Sequence, residues 1–222
     1  MEADGGGAAQ IVAYIAIIAV PLLAAIILHE VAHGVVAYML GDPTAARHGR
    51  LTLNPIPHID PVGTILLPGV LLITARVLGT SPFVFGWAKP VPIDPRRFAN
   101  PRRDSLLVAL AGPATNLLLA AASVAVVAAL PESVKAGSLV AGLGQMAIAS
   151  VWINTVLAVF NMIPVPPLDG GNVLMGILPE SLATVIDQLR PWGFLLLYAL
   201  MLSGILSRMV FPVQRAILGW LL

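Results

Sequence analysis

The fold is decided by the stretch IVAYIAIIAVPLLAAIILHEVAH, which occupies residues 11–33. No charged side chain occurs from Gly5 to Leu28, and this run is long enough for a helix that crosses a bilayer, which needs about 20 apolar residues. Charged groups at the centre of such a helix cost about 2.5–3.5 kcal/mol and are usually functional. The stretch therefore predicts a first transmembrane helix over about residues 8–40 that carries a polar site at its end.

The polar site is the pentapeptide His29-Glu30-Val31-Ala32-His33. Positions i and i+4 share one face of a helix, so the imidazoles of His29 and His33 can bind a single metal ion. Glu30 lies next to these ligands as a candidate general base. The same five residues can occur by chance in soluble helices, but their position in an apolar run favours a zinc hydrolase site.

The composition is that of an integral membrane protein. The mean hydropathy is +0.92, and only 10% of the 222 residues are charged, against about 25% in soluble domains. We expect one helical domain, residues 1–222, with little chain outside the bilayer. The absence of cysteine leaves His, Asp and Glu as metal ligands. A net charge of +1 gives no indication of nucleic-acid binding.

A basic loop follows the first helix, over residues 41–103, and contains eight of the twelve Lys and Arg residues. Its apolar segment, Pro61 to Gly79, is flanked by basic residues on both sides, so we expect a re-entrant or interfacial hairpin there. Arg50 to Leu53 and Phe83 to Trp87 carry weak strand signals. The positive-inside rule predicts that this loop is cytoplasmic and that the active site opens to the cytoplasmic side.

Three clearer spans are predicted after the loop, at about residues 104–130, 138–162 and 191–211. Pro131-Glu132-Ser133 is expected to be a short turn that makes the first two of them an antiparallel pair. The fold class is thus all-α, a polytopic membrane protein with about four to five transmembrane helices and a short strand-containing or re-entrant region after the first.

A catalytic zinc usually has three protein ligands, so the two histidines need a third. Asp169 is the best candidate, because it ends the segment Asn161-Met-Ile-Pro-Val-Pro-Pro-Leu-Asp169, whose three prolines cannot continue a regular helix. Irregular backbone at membrane depth is tolerated where it is buried in protein or lines a watery cavity. The alternative is that Asp169 only N-caps a helix that begins at Gly170.

The pairing of the His29–His33 motif with Asn161…Pro164…Leu168-Asp169-Gly170 resembles the site-2 protease family of intramembrane zinc metalloproteases. Ala111-Gly112-Pro113…Asn116, Phe85-Gly-Trp-Ala-Lys-Pro-Val-Pro92 and Asn54-Pro55…His58-Ile-Asp-Pro-Val-Gly-Thr64 look like segments of its compact prokaryotic members. The likeness covers about residues 26–171, without the PDZ or CBS domains of many relatives.

The resemblance implies a function. It assigns one Zn²⁺ per chain to His29, His33 and Asp169, activation of water to Glu30, and help with substrate or oxyanion to Asn161. The expected activity is hydrolysis of peptide bonds in or near transmembrane segments of membrane proteins in a prokaryotic cell membrane, in regulated intramembrane proteolysis.

Other polar residues and other functions stay open. His58 and Asp60 are candidate extra ligands, but a histidine in a Pro-rich loop more often makes structural hydrogen bonds. Asn116 is expected to serve helix packing, and Asn154 to hydrogen-bond between helices. The alternatives from other classes are a zinc-binding transporter or metal sensor, which needs no base beside its ligands, and a catalytically dead membrane adaptor, against which the intact Glu30 argues.

Overall fold

The structure is a computed structural model that describes residues 5–79, 86–131 and 138–221. Within these ranges the chain is helical and forms no β-strand. Short 3₁₀ helices cover Ile56–His58, Pro95–Arg97 and Arg190–Trp192, and a π-helix covers Pro61–Leu66. The α-helices are α1 Gly5–Met39, α2 Thr44–Arg47, α3 Leu67–Leu78, α4 Pro101–Ala128, α5 Leu139–Asn161, α6 Asp169–Ile177, α7 Glu180–Gln188, α8 Gly193–Leu202 and α9 Ile205–Leu221.

Four helical segments are long and apolar enough to cross a membrane: Val12–Met39, Pro61–Leu78, Pro101–Ala128 and Leu139–Asn161. They confirm the expected all-α membrane class. The segment that was expected to be a hairpin is instead a continuous helix of 18 residues, in which the π-helix runs directly into α3. Pro68 does not break it: the Leu67 N–H still bonds to Val62 O in the π-helical pattern, so the position without an N–H falls where the bonding changes from the π to the α pattern.

The span expected at residues 191–211 is divided into two helices. α8 ends at Leu202 and α9 begins at Ile205. Gly204 between them has a φ of +71°, which lies in the left-handed region and is typical of a residue that terminates a helix. The apolar composition of residues 191–211 correctly indicated helical structure. The expectation of one uninterrupted helix over these residues is wrong.

Three long helices, α1, α4 and α5, pack against one another and form the centre of the protein. Ala25, His29, His33 and Ala37 recur every four residues along α1 and are all buried. A face with this spacing lies against the neighbouring helices. α6 packs against α4, so the start of α6 lies beside the same group of helices. The two histidines consequently point into protein rather than towards lipid.

Residues 86–94 of the basic loop, here called the strap, lie beside α1 and have no helical or sheet structure. Three of its alternate residues donate backbone N–H bonds to the protein: Trp87 to Gly63 O at 3.1 Å and Lys89 to His58 O at 2.9 Å, and Val91 to Glu30 at 2.8 Å. This alternation is typical of extended chain. The described residues thus contain extended chain here but no strand, so the weak strand signals did not predict a sheet. Residues 51–53 form bends, and residues 83–85 lie outside the described ranges, as do residues 132–133 of the predicted turn.

The far end of the strap is held by Asp42, directly after α1. Its Oδ1 accepts bonds from the backbone N–H and hydroxyl of Thr44, and its Oδ2 accepts from Asp94 N at 2.7 Å. Burial alone would raise the pKa of the Asp42 carboxyl, but these hydrogen bonds and the charge of Arg97 together lower the pKa below its usual value. Asp42 is therefore ionised at neutral pH and ties the strap to the end of α1.

Candidate metal centre

Three side chains from two distant parts of the chain converge at the centre of the helix bundle. The Nε2 atoms of His29 and His33 lie 3.0 Å apart. Asp169, the first residue of α6, places Oδ2 3.2 Å from His29 Nε2 and Oδ1 3.3 Å from His33 Nε2. These are the atoms of a possible metal site, with all candidate ligand atoms within 4.8 Å of one another. The predicted meeting of His29, His33 and Asp169 thus occurs.

The protonation of both imidazoles follows from their outer partners. His33 Nδ1 lies 2.7 Å from the carbonyl oxygen of Val108, which can only accept, so Nδ1 carries the proton. His29 Nδ1 lies 2.6 Å from Asn116 Oδ1 and is protonated for the same reason. In the neutral rings both Nε2 atoms therefore present lone pairs. Such an arrangement of outer partners is usual for metal-binding histidines.

The donor atoms fit a zinc ion. Two imidazole lone pairs and a carboxylate that face one another repel unless a cation lies between them, and two imidazolium N–H groups could not share a 3.0 Å separation. Zinc bonds of about 2.0–2.1 Å in a tetrahedron place ligand atoms roughly 3.3 Å apart. The observed separations of 3.0, 3.2 and 3.3 Å agree with that arrangement. Two nitrogens and one carboxylate are also a usual ligand set of catalytic zinc.

Asp169 does not cap its helix. The N-cap of α6 is Leu168, and no side chain caps it. The Oδ2 atom of Asp169 is buried and has no hydrogen-bond partner. A buried carboxylate oxygen without a partner is costly unless something satisfies it. The alternative role as an N-cap is therefore wrong, and the unpartnered oxygen is directed at the histidines.

Glu30 lies beside the cluster, with its carboxylate held by the strap. Its Oε2 accepts the Val91 N–H at 2.8 Å, and the side chain lines a cavity of about 990 Å³ together with His29, His33 and Asp169. The backbone of Val91 thereby fixes the direction of the carboxylate. Sequence reasoning predicted the base but not the backbone group that orients it, because Val91 is 61 residues away in the chain.

Asn161 is the last residue of α5 and lines the same cavity. Its Nδ2 donates to Leu157 O at 3.0 Å within the helix. An amide nitrogen has two hydrogens, so one remains for a further acceptor. The structure thus brings Asn161 to the site, and its role there stays a prediction.

The two candidate extra ligands are outside the cluster. Asp60 accepts the N–H groups of Val62 and Gly63 at 3.0 and 2.7 Å and caps the π-helix. His58 is buried, and its Nε2 lies 3.0 Å from Thr52 O. Both residues order the basic loop, and the structure does not bring them to the metal ligands.

Asn116 has the expected packing role and a second role that the sequence did not predict. Its amide nitrogen donates to Ala25 O of α1 and to Asn154 Oδ1 of α5, which holds the helices together. Its amide oxygen also contacts His29, a contact that depends on the position of α4 against α1. Its occurrence four residues after Ala111-Gly112 gave no local signal of a ligand partner.

Comparisons with known proteins show which family the chain belongs to. The sequence model of peptidase family M50 matches residues 132–203. The chain is 37% identical over 203 residues to the "Putative zinc metalloprotease YwhC" of Bacillus subtilis, which covers 89% of this chain and 85% of the relative. It is 30% identical over 193 residues to the "Putative zinc metalloprotease Rip2" of Mycolicibacterium smegmatis, covering 86% and 68%. No solved structure matches the chain. The chain therefore belongs to peptidase family M50, the site-2 protease family of zinc metalloproteases.

Proposed function

We propose that the protein is an intramembrane zinc endopeptidase, formed by a single domain over residues 1–222, that hydrolyses peptide bonds in or near transmembrane segments. One observation carries this proposal: three acceptor atoms that fit zinc converge next to Glu30, and two of them belong to α1, a helix apolar enough to cross a membrane. The bacterial relatives support a prokaryotic cell membrane. A role in regulated proteolysis, which releases a cytoplasmic regulator, is the further expectation.

His29, His33 and Asp169 would hold the zinc, which when bound acts as a Lewis acid and lowers the pKa of water towards about 7. Glu30 accepts the proton of the attacking water, and its carboxylate is held ready by the Val91 N–H. The remaining amide hydrogen of Asn161 donates to the oxyanion that develops on the scissile carbonyl. Glu30 then returns the proton to the leaving amine, so the residue ends each cycle ionised.

Water and the cytoplasmic part of a substrate would enter through the cavity that contains the cluster. The cavity extends from Glu30 and Asp169 to Arg102 and Arg190 at its rim. Eight of the twelve basic residues lie in residues 41–103, so the positive-inside rule supports a cytoplasmic opening. An opening on that side would deliver water to zinc without crossing the apolar layer.

A helical substrate must unwind before its carbonyls can be attacked, and the strap is a candidate support for the unwound chain. The inner edge of the strap is occupied, because Trp87, Lys89 and Val91 bond to the protein. The opposite edge consists of residues 88, 90 and 92, where Pro90 and Pro92 have no N–H. A substrate strand on this edge would be bound mainly by donating its own N–H groups to strap carbonyls.

The test uses the purified protein in detergent and a panel of single-span peptides. We expect cleavage inside or at the edge of the apolar segment, located by mass spectrometry. A chelator should abolish cleavage and added Zn²⁺ should restore it, because without the ion water keeps its ordinary pKa and is a poor nucleophile. Chelator-resistant cleavage, or cuts confined to soluble flanks, would contradict the proposal.

The contact between the strap and Glu30 gives a separate prediction. Val91→Pro removes the N–H that orients the Glu30 carboxylate, and we expect the cleavage rate to fall by up to about 100-fold, since small misplacements of a catalytic group have effects of this size. Zinc content should not change. Val91→Ala is the control, because it keeps the N–H and removes only two methyl groups. Equal rates for the two variants would show that the contact is irrelevant to catalysis.

A further inference from the structure

A chain of buried side-chain amides extends from the metal centre into the bundle. Asn116 on α4 and Asn154 on α5 are 0% and 1% exposed. Asn116 Oδ1 lies 2.6 Å from His29 Nδ1, Asn116 Nδ2 donates to Asn154 Oδ1 at 2.8 Å, and Asn154 Nδ2 donates to Ser150 O at 2.9 Å. This series of hydrogen-bonded amides therefore connects α5 through α4 to a metal-ligand histidine on α1.

Two backbone carbonyls determine the direction of this chain. Ser150 O can only accept, so the Asn154 side chain must direct its NH₂ group towards it and its oxygen towards Asn116. Ala25 O, 3.3 Å from Asn116 Nδ2, constrains Asn116 in the same sense. Reversing either amide would place two oxygens against each other in a buried site, which is costly.

The direction of these amides leaves one neutral tautomer for His29. Since Asn116 presents an oxygen, Nδ1 of His29 must carry a proton, and in the neutral ring Nε2 then carries the lone pair. His33 reaches the same tautomer through the backbone of Val108, which no substitution removes. Of the two histidines, only His29 has a tautomer that is set by other side chains, those of Asn116 and Asn154.

We propose that Asn116, anchored by Ala25 O and Asn154, is a positioning residue that fixes the metal-binding tautomer and ring orientation of His29. This inference rests on the proposed zinc-binding role of His29. The inference adds to that role the hydrogen-bonded amides on α4 and α5 that set the tautomer of His29. Because zinc binding can be measured without protease activity, the inference can fail or hold independently of the proposed function.

The test measures zinc affinity by competition with a chelator in detergent, and the His29 tautomer by ¹⁵N NMR of the metal-free protein. We expect Asn116→Leu to weaken zinc binding by about 10- to 100-fold, the usual effect of removing an outer partner of a ligand histidine. Asn154→Leu should have a smaller effect in the same direction, because Ala25 O still holds Asn116. Thr155→Val is the matched control: Thr155 is also buried on α5, but its hydroxyl bonds only to Val151 O at 2.7 Å.

Unchanged zinc affinity in Asn116→Leu would overturn the proposal, as would an Asn154→Leu variant that behaves like Thr155→Val. The ¹⁵N spectrum of the metal-free wild type tests the proposal even if the variants do not fold. The proposal requires His29 to be protonated at Nδ1 before any metal is added, and a metal-free protein with the proton at Nε2 would exclude this role of Asn116.

Discussion

Replacing Glu30 by Gln is expected to lower the rate of peptide cleavage by about 10²–10⁴-fold, the usual contribution of a general base, while zinc stays bound. Gln has nearly the same shape as Glu, and its amide oxygen can still accept the Val91 N–H that lies 2.8 Å from Glu30 Oε2. It cannot accept the proton of the attacking water. The substitution therefore removes the proton acceptor and keeps the hydrogen bond to Val91.

The measurement is the single-turnover cleavage rate of a transmembrane peptide, with zinc content determined on the same preparation. Glu180→Gln is the control, because Glu180 lines the rim of the same cavity but does not belong to the metal cluster. Undiminished cleavage by Glu30→Gln would remove Glu30 from the mechanism. The same comparison separates a protease from a zinc transporter or sensor, for which loss of a base beside intact ligands should have little effect.

Gly112→Ala is expected to weaken zinc binding by at least about 100-fold, at the upper end of the effects seen when the surroundings of ligands are disturbed. A methyl group on Gly112 would lie 2.6 Å from Nε2 of His29, on the side where the two imidazoles converge. Real side chains do not approach so closely, so either the histidines or α4 must move. Because Gly112 has no side chain, α4 leaves room for the imidazoles of His29 and His33 to converge.

Gly142→Ala is the matched control, since Gly142 also lies within a long helix and a methyl group there would meet nothing within 4 Å. Alanine favours helix over glycine by about 0.5–1 kcal/mol, so this control should be folded and at least as stable as the wild type. Zinc content of the purified variants is the measurement. Full zinc occupancy and activity in Gly112→Ala would show that the metal does not bind between these helices.

The metal centre was predicted in part from local patterns. The spacing of His29 and His33 determines that both lie on one face of α1, because an α-helix repeats every 3.6 residues. The placement of Asp169 beside them needed a family resemblance, since a carboxylate before two glycines is also a common helix cap. The structure decided between these roles, because Asp169 Oδ2 has no hydrogen-bond partner and faces His29.

Errors occurred where a local property was used to predict a long-range one. Residues 191–211 are apolar enough for a span, but Gly204 ends a helix within them. Residues 61–79 were expected to turn back because basic residues flank both ends, yet the chain stays helical through Pro68, which lies where the π-helix changes to α3. The contacts of Asn116 with His29 and of Val91 with Glu30 were missed because both join residues more than 60 positions apart.

The sequence by itself determined the membrane environment, the main helices and the two histidines on one face. These properties depend on the transfer of apolar side chains out of water and on helical periodicity, which act over a few turns of chain. The tertiary structure decided which carboxylate completes the centre, which amide fixes His29 and which backbone N–H holds Glu30. Each of those contacts depends on where one helix or loop lies against another, and helix packing is set by the whole set of side chains between them rather than by any short motif.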